Sequence, residues 1–247
     1  DALPISYFDH DNENETKFFD KEKADALIQS LPNVGMIEKV EKKVEKKYAP
    51  SLHSLADLQR EANKVYSFTM SETLDIVQEL YEAKYLSYPR TDSAYITQDE
   101  AKRFPQLLAA IKEIPDVLKY VQPILDEAGV IEKTARNKKY VDDSKVSDHY
   151  AIIPTGKPVD FNRLSKRQQQ IMSLVAKRFV AIFMPPSVVN KTSVITNCSG
   201  RKFKTNGNEV VDKGYTVLYK TKFSENSLPS LLENQPVSLT ETTLIEK

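Results

Sequence analysis

The strongest constraint on the fold is a series of helix start signals enclosed between two proline-containing stretches. Ser54 precedes an amphipathic run, and three further Ser or Thr residues are followed three positions later by Glu or Gln, which is the pattern of a capping box. These pairs are Thr69 with Glu72, Thr97 with Glu100, and Ser165 with Gln168. Tyr48-Ala49-Pro50 comes before the series and Pro185-Pro186 after it. We therefore predict a mainly helical domain over residues 52–186.

Within this domain the sequence predicts particular elements. Thr97 is expected to open one helix that continues to Ile111, and residues 116–127 are expected to form a helix that bends or breaks at Pro123 and stops at Gly129. The polar residues 136–147 are predicted to form an exposed loop.

Outside this domain the pattern is that of β-strands. A helix capped by Asp20 and closed by Pro32 is also expected, and residues 36–47 are ambiguous because their apolar residues fall at helical spacing. Asn206-Gly207 is a strong hairpin signal. The strand candidates are 3–8, 192–198, 201–205, 215–220 and 237–244. The predicted fold class is α+β, with the helical domain inserted into a discontinuous β-rich domain of residues 1–51 and 187–247.

Composition excludes several classes. A single cysteine, Cys198, rules out an intrachain disulfide framework and a multi-cysteine zinc site. No apolar run is long enough to span a membrane and no signal peptide is recognisable, so we expect a cytoplasmic protein without a membrane partner. Because the chain starts at Asp1 without Met, we expect it to be an excised part of a longer polypeptide.

The net charge is zero, with 35 basic and 35 acidic residues, but the charges are segregated. Residues 161–208 contain no acidic residue. A basic tract of this length is compatible with binding a phosphate backbone, and a solvated helix face followed by a basic hairpin explains it equally well. The candidate DNA-binding residues here are Arg163, Lys166, Arg167, Lys177 and Arg178.

The stretch Tyr85–Ser93 places a phenol beside a guanidinium at a predicted helix exit. Tyr88 precedes a proline and is therefore biased towards an extended backbone, with Arg90 two residues later. A tyrosine can attack a phosphodiester reversibly because phenolate is a good leaving group, and arginine can neutralise the crowded phosphate. On this chemistry alone a structural turn remains the commoner explanation.

Several stretches in this order resemble the active-site region of type IA DNA topoisomerases. They are Leu58-Gln59-Arg60-Glu61-Ala62-Asn63, Thr73-Leu74-Asp75-Ile76 and Leu86 to Ser93. Asp148-His149-Tyr150-Ala151-Ile152-Ile153-Pro154-Thr155 is similar to a second motif in the form typical of bacterial topoisomerase III. The resemblance implies a helical domain III inserted into domain II, together forming part of a toroidal arch. It also implies that residues 36–47 are extended rather than helical.

The resemblance further implies an enzyme that cuts one DNA strand through a 5′-phosphotyrosine, passes another strand and reseals the cut. Tyr88 would be the nucleophile, Arg90 would stabilise the phosphoryl transition state, and His149 would position the phosphate. Asp92 would orient His149 or Arg90, and Thr91 and Ser93 would add hydroxyl contacts to DNA.

In that family the other half of the site is a TOPRIM domain that binds Mg²⁺, and we find no such acidic cluster in this chain. Phenols ionise near pH 10, so activation needs help from outside. We therefore expect a monomeric piece that binds single-stranded DNA, works with the remainder of its polypeptide, holds no cofactor itself and does not cleave alone. Two alternatives stay open: a helix-turn-helix DNA-binding regulator and a non-catalytic interaction domain. No candidate recognition helix has the Arg, Asn or Gln density that base recognition uses.

Overall fold

The computed structural model describes residues 6–8, 21–219 and 226–239, and it has the α+β architecture expected. The chain divides into two compact units. The sheet unit contains Asp1–Lys46, Val188–Asp212 and Lys222–Lys247, and the helical unit contains Lys47–Ser187 and Lys213–Thr221. None of the helices in the described ranges has the length and apolar character needed to cross a membrane.

Five strands form one sheet in the order β1-β4-β3-β2-β5. Helix α1 (Lys21–Gln29) precedes the second strand. The strands are β1 (Ser6–Phe8), β2 (Val34–Lys47), β3 (Ser187–Cys198), β4 (Arg201–Asp212) and β5 (Pro236–Ser238). The extended conformation expected for residues 36–47 is confirmed by β2. Gly35 fits there because a Cβ would lie 2.7 Å from the Cys198 sulfur.

The hairpin between β3 and β4 does not turn at Asn206-Gly207, so that prediction was wrong. The turn is at Ser199 and Gly200, which have φ of 54° and 86° and so adopt the left-handed region that tight hairpins need. Asn206 and Gly207 lie inside β4, opposite Ser193 and Thr192. Gly207 instead makes room for a neighbour, since a Cβ there would lie 2.4 Å from the Leu228 Cγ.

Seven helices of the helical unit surround a common core. They are α2 (Leu55–Tyr66), α3 (Met70–Glu82), α4 (Gln98–Ala101), α5 (Phe104–Ile111), α6 (Leu118–Asp126), α7 (Val130–Ala135) and α8 (Lys166–Ala181). Helix α8 packs against α2 and α3. Phe104, Phe179 and Phe183 meet edge to face, with ring centroids 4.8 to 5.9 Å apart. Such aromatic pairs stabilise a core beyond the area they bury.

Three of the four start signals form the expected caps: Ser54 caps α2, and the boxes at Thr69 and Ser165 are closed. At Thr97 only half of the box forms. The Thr97 side chain accepts from the Glu100 N–H, but the Glu100 carboxylate pairs with Arg103 at 3.0 Å. The single helix predicted here was wrong, because Pro105 lacks a backbone N–H and forces a new start at α5.

Helix α6 forms within the predicted range and does not break at Pro123, and it ends before Gly129, which is followed at once by α7. Most of the loop 136–147 is exposed as expected, but Tyr140 is buried and its hydroxyl donates to the Ala49 carbonyl at 2.9 Å. The strand predicted from residue 215 was wrong, since Gly214–Leu218 is a 3₁₀ helix packed on α8. Strand predictions at 3–5, 220 and 240–244, and the Asp20 cap, lie outside the described residues.

Candidate functional site

The Tyr88 segment begins where α3 ends in a left-handed turn. Lys84 has φ of 62°, and its N–H donates to the Tyr81 carbonyl at 2.8 Å. The Tyr85 N–H donates to the Leu80 carbonyl at 2.9 Å. These two bonds form a Schellman motif, which satisfies the last carbonyls of the helix and redirects the chain. The chain therefore leaves α3 in an extended conformation towards Tyr88.

Ser87 ties this segment to the one that follows His149. Its hydroxyl donates to the Ala151 carbonyl at 2.9 Å and accepts from the Ile153 N–H at 2.9 Å. Its own N–H donates to the Ile153 carbonyl at 3.0 Å. Because Ser87 is buried, water cannot reach these polar groups, and the three hydrogen bonds satisfy them instead. Two stretches far apart in sequence are thus held side by side.

The result is a stacked pair of rings. The centroids of Tyr88 and His149 lie 4.1 Å apart with the planes inclined by 35°. Tyr81 meets the other side of Tyr88 edge-on at 5.4 Å. These rings line a cavity of about 340 Å³, together with Lys84, Asp148 and Tyr150. A phenol and an imidazole, both able to contact a phosphate, therefore share one cavity.

The other candidates in this stretch divide into two groups. Arg90 and Asp92 are exposed, and in the part of the chain that is described Asp92 makes no hydrogen bond to His149 or Arg90. Thr91 and Ser93 are buried. The Thr91 hydroxyl donates to the His149 carbonyl at 2.9 Å, and the Ser93 hydroxyl to the Lys145 carbonyl at 3.0 Å. Their hydroxyls hold neighbouring loops, and contact with DNA stays a prediction.

Four of the five candidate basic residues pair with carboxylates of the same unit. Arg167 pairs with Glu72, Arg178 with Glu61, and Lys177 with Asp116 at 3.7 Å. Arg163 pairs with Asp160 at 3.0 Å, and Lys166 is exposed at the start of α8. None of these five residues is among those that line the Tyr88 cavity. Their role in binding DNA stays a prediction.

A buried polar network is hydrogen-bonded to the segment that follows His149. His53 is fully buried, and its Nε2 lies 2.8 Å from the Glu61 carboxylate, which also pairs with Arg178. The His53 carbonyl accepts from the Ile152 N–H at 2.8 Å. Burial lowers the pKa of His53 despite the nearby carboxylate, because the cation would lose its hydration. Through these contacts His53 links Glu61 to the backbone of the segment that follows His149.

Sequence reasoning missed four residues of the site: Tyr81, Lys84, Ser87 as a link, and Tyr150. Tyr81 is more than one-third exposed although it lies on a helix that packs against the core. The left-handed position at Lys84 had no signal in the sequence, because glycine, the usual residue there, is absent. No signal in the sequence identified the carbonyl and N–H groups that Ser87 would bind.

The residues that the structure describes do not fit a magnesium site. Across residues 21–219 and 226–239 no group of three or more His, Cys, Asp or Glu side chains is placed to hold a metal ion. Asp148 is the one carboxylate that lines the cavity. Because Mg²⁺ takes an octahedral set of oxygen ligands, we derive no catalytic step through it here.

Comparison with known proteins gives a consistent result. A family model described as DNA topoisomerase matches residues 3–247. DNA topoisomerase 3 from Bacillus cereus is 35% identical over 229 residues, which is 91% of this chain, and its Bacillus subtilis counterpart is 33% identical over 221 residues, or 89% of this chain. The chain spans about 30% of the length of these curated relatives.

A solved structure supports the fold. Full-length topoisomerase I from Thermotoga maritima superimposes with a TM-score of 0.67 at 24% identity, covering 96% of this chain and 37% of that protein. With the family model matching nearly the whole sequence, the chain belongs to the DNA topoisomerase family.

Proposed function

We propose that this chain carries the tyrosine half of the DNA-cleaving site of a type IA topoisomerase of the topoisomerase III kind. The supporting observation is the stack of Tyr88 on His149, at 4.1 Å, in one cavity. The complete protein cuts one DNA strand, passes another through the gap and reseals the cut. The substrate is a single-stranded segment of DNA.

In the proposed reaction the Tyr88 oxygen attacks a backbone phosphorus. A bond forms between that oxygen and phosphorus, the bond from phosphorus to the 3′ oxygen breaks, and the 3′ oxygen takes up a proton. Resealing is the same reaction in reverse. His149 donates a hydrogen bond that positions the phosphate, and the exposed Arg90 stabilises the charge on the phosphoryl oxygens.

The phenol must also lose its proton, and we assign no base for that step among the described residues that line the cavity. His149 and Arg90 are placed here as phosphate donors. We propose that the base and the Mg²⁺ ligands belong to a TOPRIM domain elsewhere in the polypeptide, in keeping with the 30% of the relatives that this chain spans. The isolated 247 residues then bind single-stranded DNA without cleaving it. The protein acts as a monomer in the cytoplasm.

The regulator and interaction-domain alternatives have less support. Helices α2 and α3 both bury one face against α8, so the pair is part of the core packing of the unit. A regulator would bind one duplex sequence and would be indifferent to Tyr88, and an interaction domain would not bind nucleic acid.

The experiment uses the complete protein that contains this chain, incubated with labelled single-stranded DNA and Mg²⁺ and resolved on a denaturing gel. Tyr88→Phe removes one oxygen, so covalent adducts should disappear while noncovalent binding persists. Tyr120→Phe, which makes the same change outside the cavity, is the matched control and should keep the adduct. Adducts at normal yield in Tyr88→Phe would exclude Tyr88 as the nucleophile.

A further inference from the structure

The end of helix α3 holds an unexpected residue. In a Schellman motif the first position past the helix cap has positive φ, and glycine is the usual residue because a Cβ is strained there. Lys84 occupies that position with φ of 62°. The turn itself is secured by backbone bonds from Lys84 and Tyr85, which any residue could make. The lysine side chain therefore gives this turn nothing that glycine would not.

The ammonium of Lys84 is available to a ligand. Lys84 is exposed, and it is among the residues that line the cavity holding Tyr88 and His149. Within the described ranges no carboxylate lies at ion-pairing distance from it. Lys157 differs, since its Nζ donates to the Ala83 carbonyl at 2.8 Å and lies over the Tyr85 ring. Lys84 is thus a cation held in a strained backbone position at the edge of the candidate site.

A cation at this position would offset the negative charge in the cavity. Asp148 is the one carboxylate among the lining residues, and it would repel an anionic strand entering the cavity. A lysine ammonium offsets that repulsion and can donate hydrogen bonds to phosphate oxygens. Strained backbone conformations persist where the surrounding structure over-determines them, and they cluster at ligand sites.

We propose that Lys84 binds a backbone phosphate of the single DNA strand that enters the Tyr88 cavity. This inference rests on the proposed function, because it takes the cavity to be where the strand lies. Lys84 acts in binding and does not take part in the bond exchange at phosphorus. It adds one phosphate contact to those of His149 and Arg90.

Lys84→Gly separates the ligand role from a structural one. The substitution removes the charge and also relieves the strained φ, so the chain should keep or raise its thermal unfolding midpoint. Binding of the 247-residue chain to a short fluorescein-labelled oligothymidylate is measured by anisotropy between about 50 and 200 mM salt. We expect affinity to fall roughly fivefold to tenfold at the low-salt end. The slope of log affinity against log salt should shrink by about 0.7, as for one lost contact to a single strand.

Two further variants complete the test. Lys84→Arg keeps the charge and should retain most of the affinity and the slope. Lys112→Ala removes an exposed lysine outside the cavity lining and should change neither. Unchanged affinity and slope in Lys84→Gly would overturn the role of Lys84 and leave the proposed function standing. A lowered unfolding midpoint in Lys84→Gly would overturn the argument from strain. If the unaltered chain does not bind the oligonucleotide at all, the proposed function fails and the role of Lys84 fails with it.

Discussion

The Tyr88 cavity and the basic face of helix α8 were both predicted from sequence to contact DNA, and the structure treats them differently. In the cavity, Tyr88 and His149 come from distant stretches and stack at 4.1 Å. On α8, the cations Arg167, Lys177 and Arg178 each meet a carboxylate of the same unit. The cavity brings together side chains from distant stretches, whereas on the helix these three charges are paired with carboxylates of neighbouring segments.

This difference shows that a basic stretch of sequence does not by itself identify a free basic surface. A stretch without acidic residues looks like a free basic surface, but its partners Glu61, Glu72 and Asp116 lie in other elements. The same holds in the sheet unit, where Lys191 pairs with Glu45 and Lys202 with Glu38. A cation that is already paired must give up its carboxylate before it can bind a phosphate. Its net contribution to the binding free energy is therefore smaller.

The largest expected effect is a loss of stability when the most buried ion pair of α8, Arg178 with Glu61, is broken. Arg178 is 15% exposed, pairs with Glu61 and donates to the Ser51 carbonyl at 2.9 Å. Arg178→Ala should lower the free energy of unfolding by about 3 kcal/mol, because the carboxylate is left buried without its cation. Urea denaturation measures this. If Arg178→Ala left the stability unchanged but weakened DNA binding, Arg178 would contact DNA, and the contrast between α8 and the Tyr88 cavity would not hold.

The second largest effect is expected for a substitution at Ser87, because Ser87 joins the two segments that line the cavity. Ser87→Ala leaves the Ala151 carbonyl and the Ile153 N–H without their buried partner, at a cost of about 2 kcal/mol in unfolding free energy. The His149 ring should also move off Tyr88. The ring-current shift of the His149 Hε1 signal in proton NMR should therefore decrease, whereas Ser144→Ala on an exposed turn should leave it unchanged. An unmoved His149 signal in Ser87→Ala would show that other contacts hold the stack.

A smaller effect is expected from pH at His53. Burial lowers its pKa below the ordinary 6.5, so below about pH 6.5 the unfolded chain binds a proton that the folded chain does not. Stability should therefore fall as the pH drops from 7 through this range. His53→Gln keeps a donor for Glu61 but does not titrate, so denaturation curves between about pH 7 and 5.5 should depend less on pH. An equal pH dependence in both chains would assign the loss to other groups.

The smallest effect is expected at the most exposed of the three ion pairs of α8. Arg167 is half exposed, pairs with Glu72 and lies over the Phe68 ring. Arg167→Ala should leave the free energy of unfolding nearly unchanged, because exposed pairs are screened by water. Oligothymidylate binding by the same variant sharpens the comparison. If α8 does contact DNA, affinity should fall and its salt dependence should weaken, and if its charges are only structural, both should stay as they were.

Much of the local structure followed from the sequence. The caps at Ser54, Thr69 and Ser165 formed as predicted, because each depends on a side chain and an N–H only three residues away. The hairpin at Asn206-Gly207 failed for the opposite reason. The position of that turn depends on how β3 and β4 pair along their whole length and on the room Leu228 needs beside Gly207.

By itself the sequence determined the helices that carry their own caps and the motifs that indicate the family. These are properties of neighbouring residues. The tertiary structure alone decided that Ser87 joins the two halves of the cavity, that Lys84 lines it, and that Arg167, Lys177 and Arg178 are already paired. Each of these depends on which distant group is brought within hydrogen-bonding distance, and the packing of the whole helical unit sets that distance.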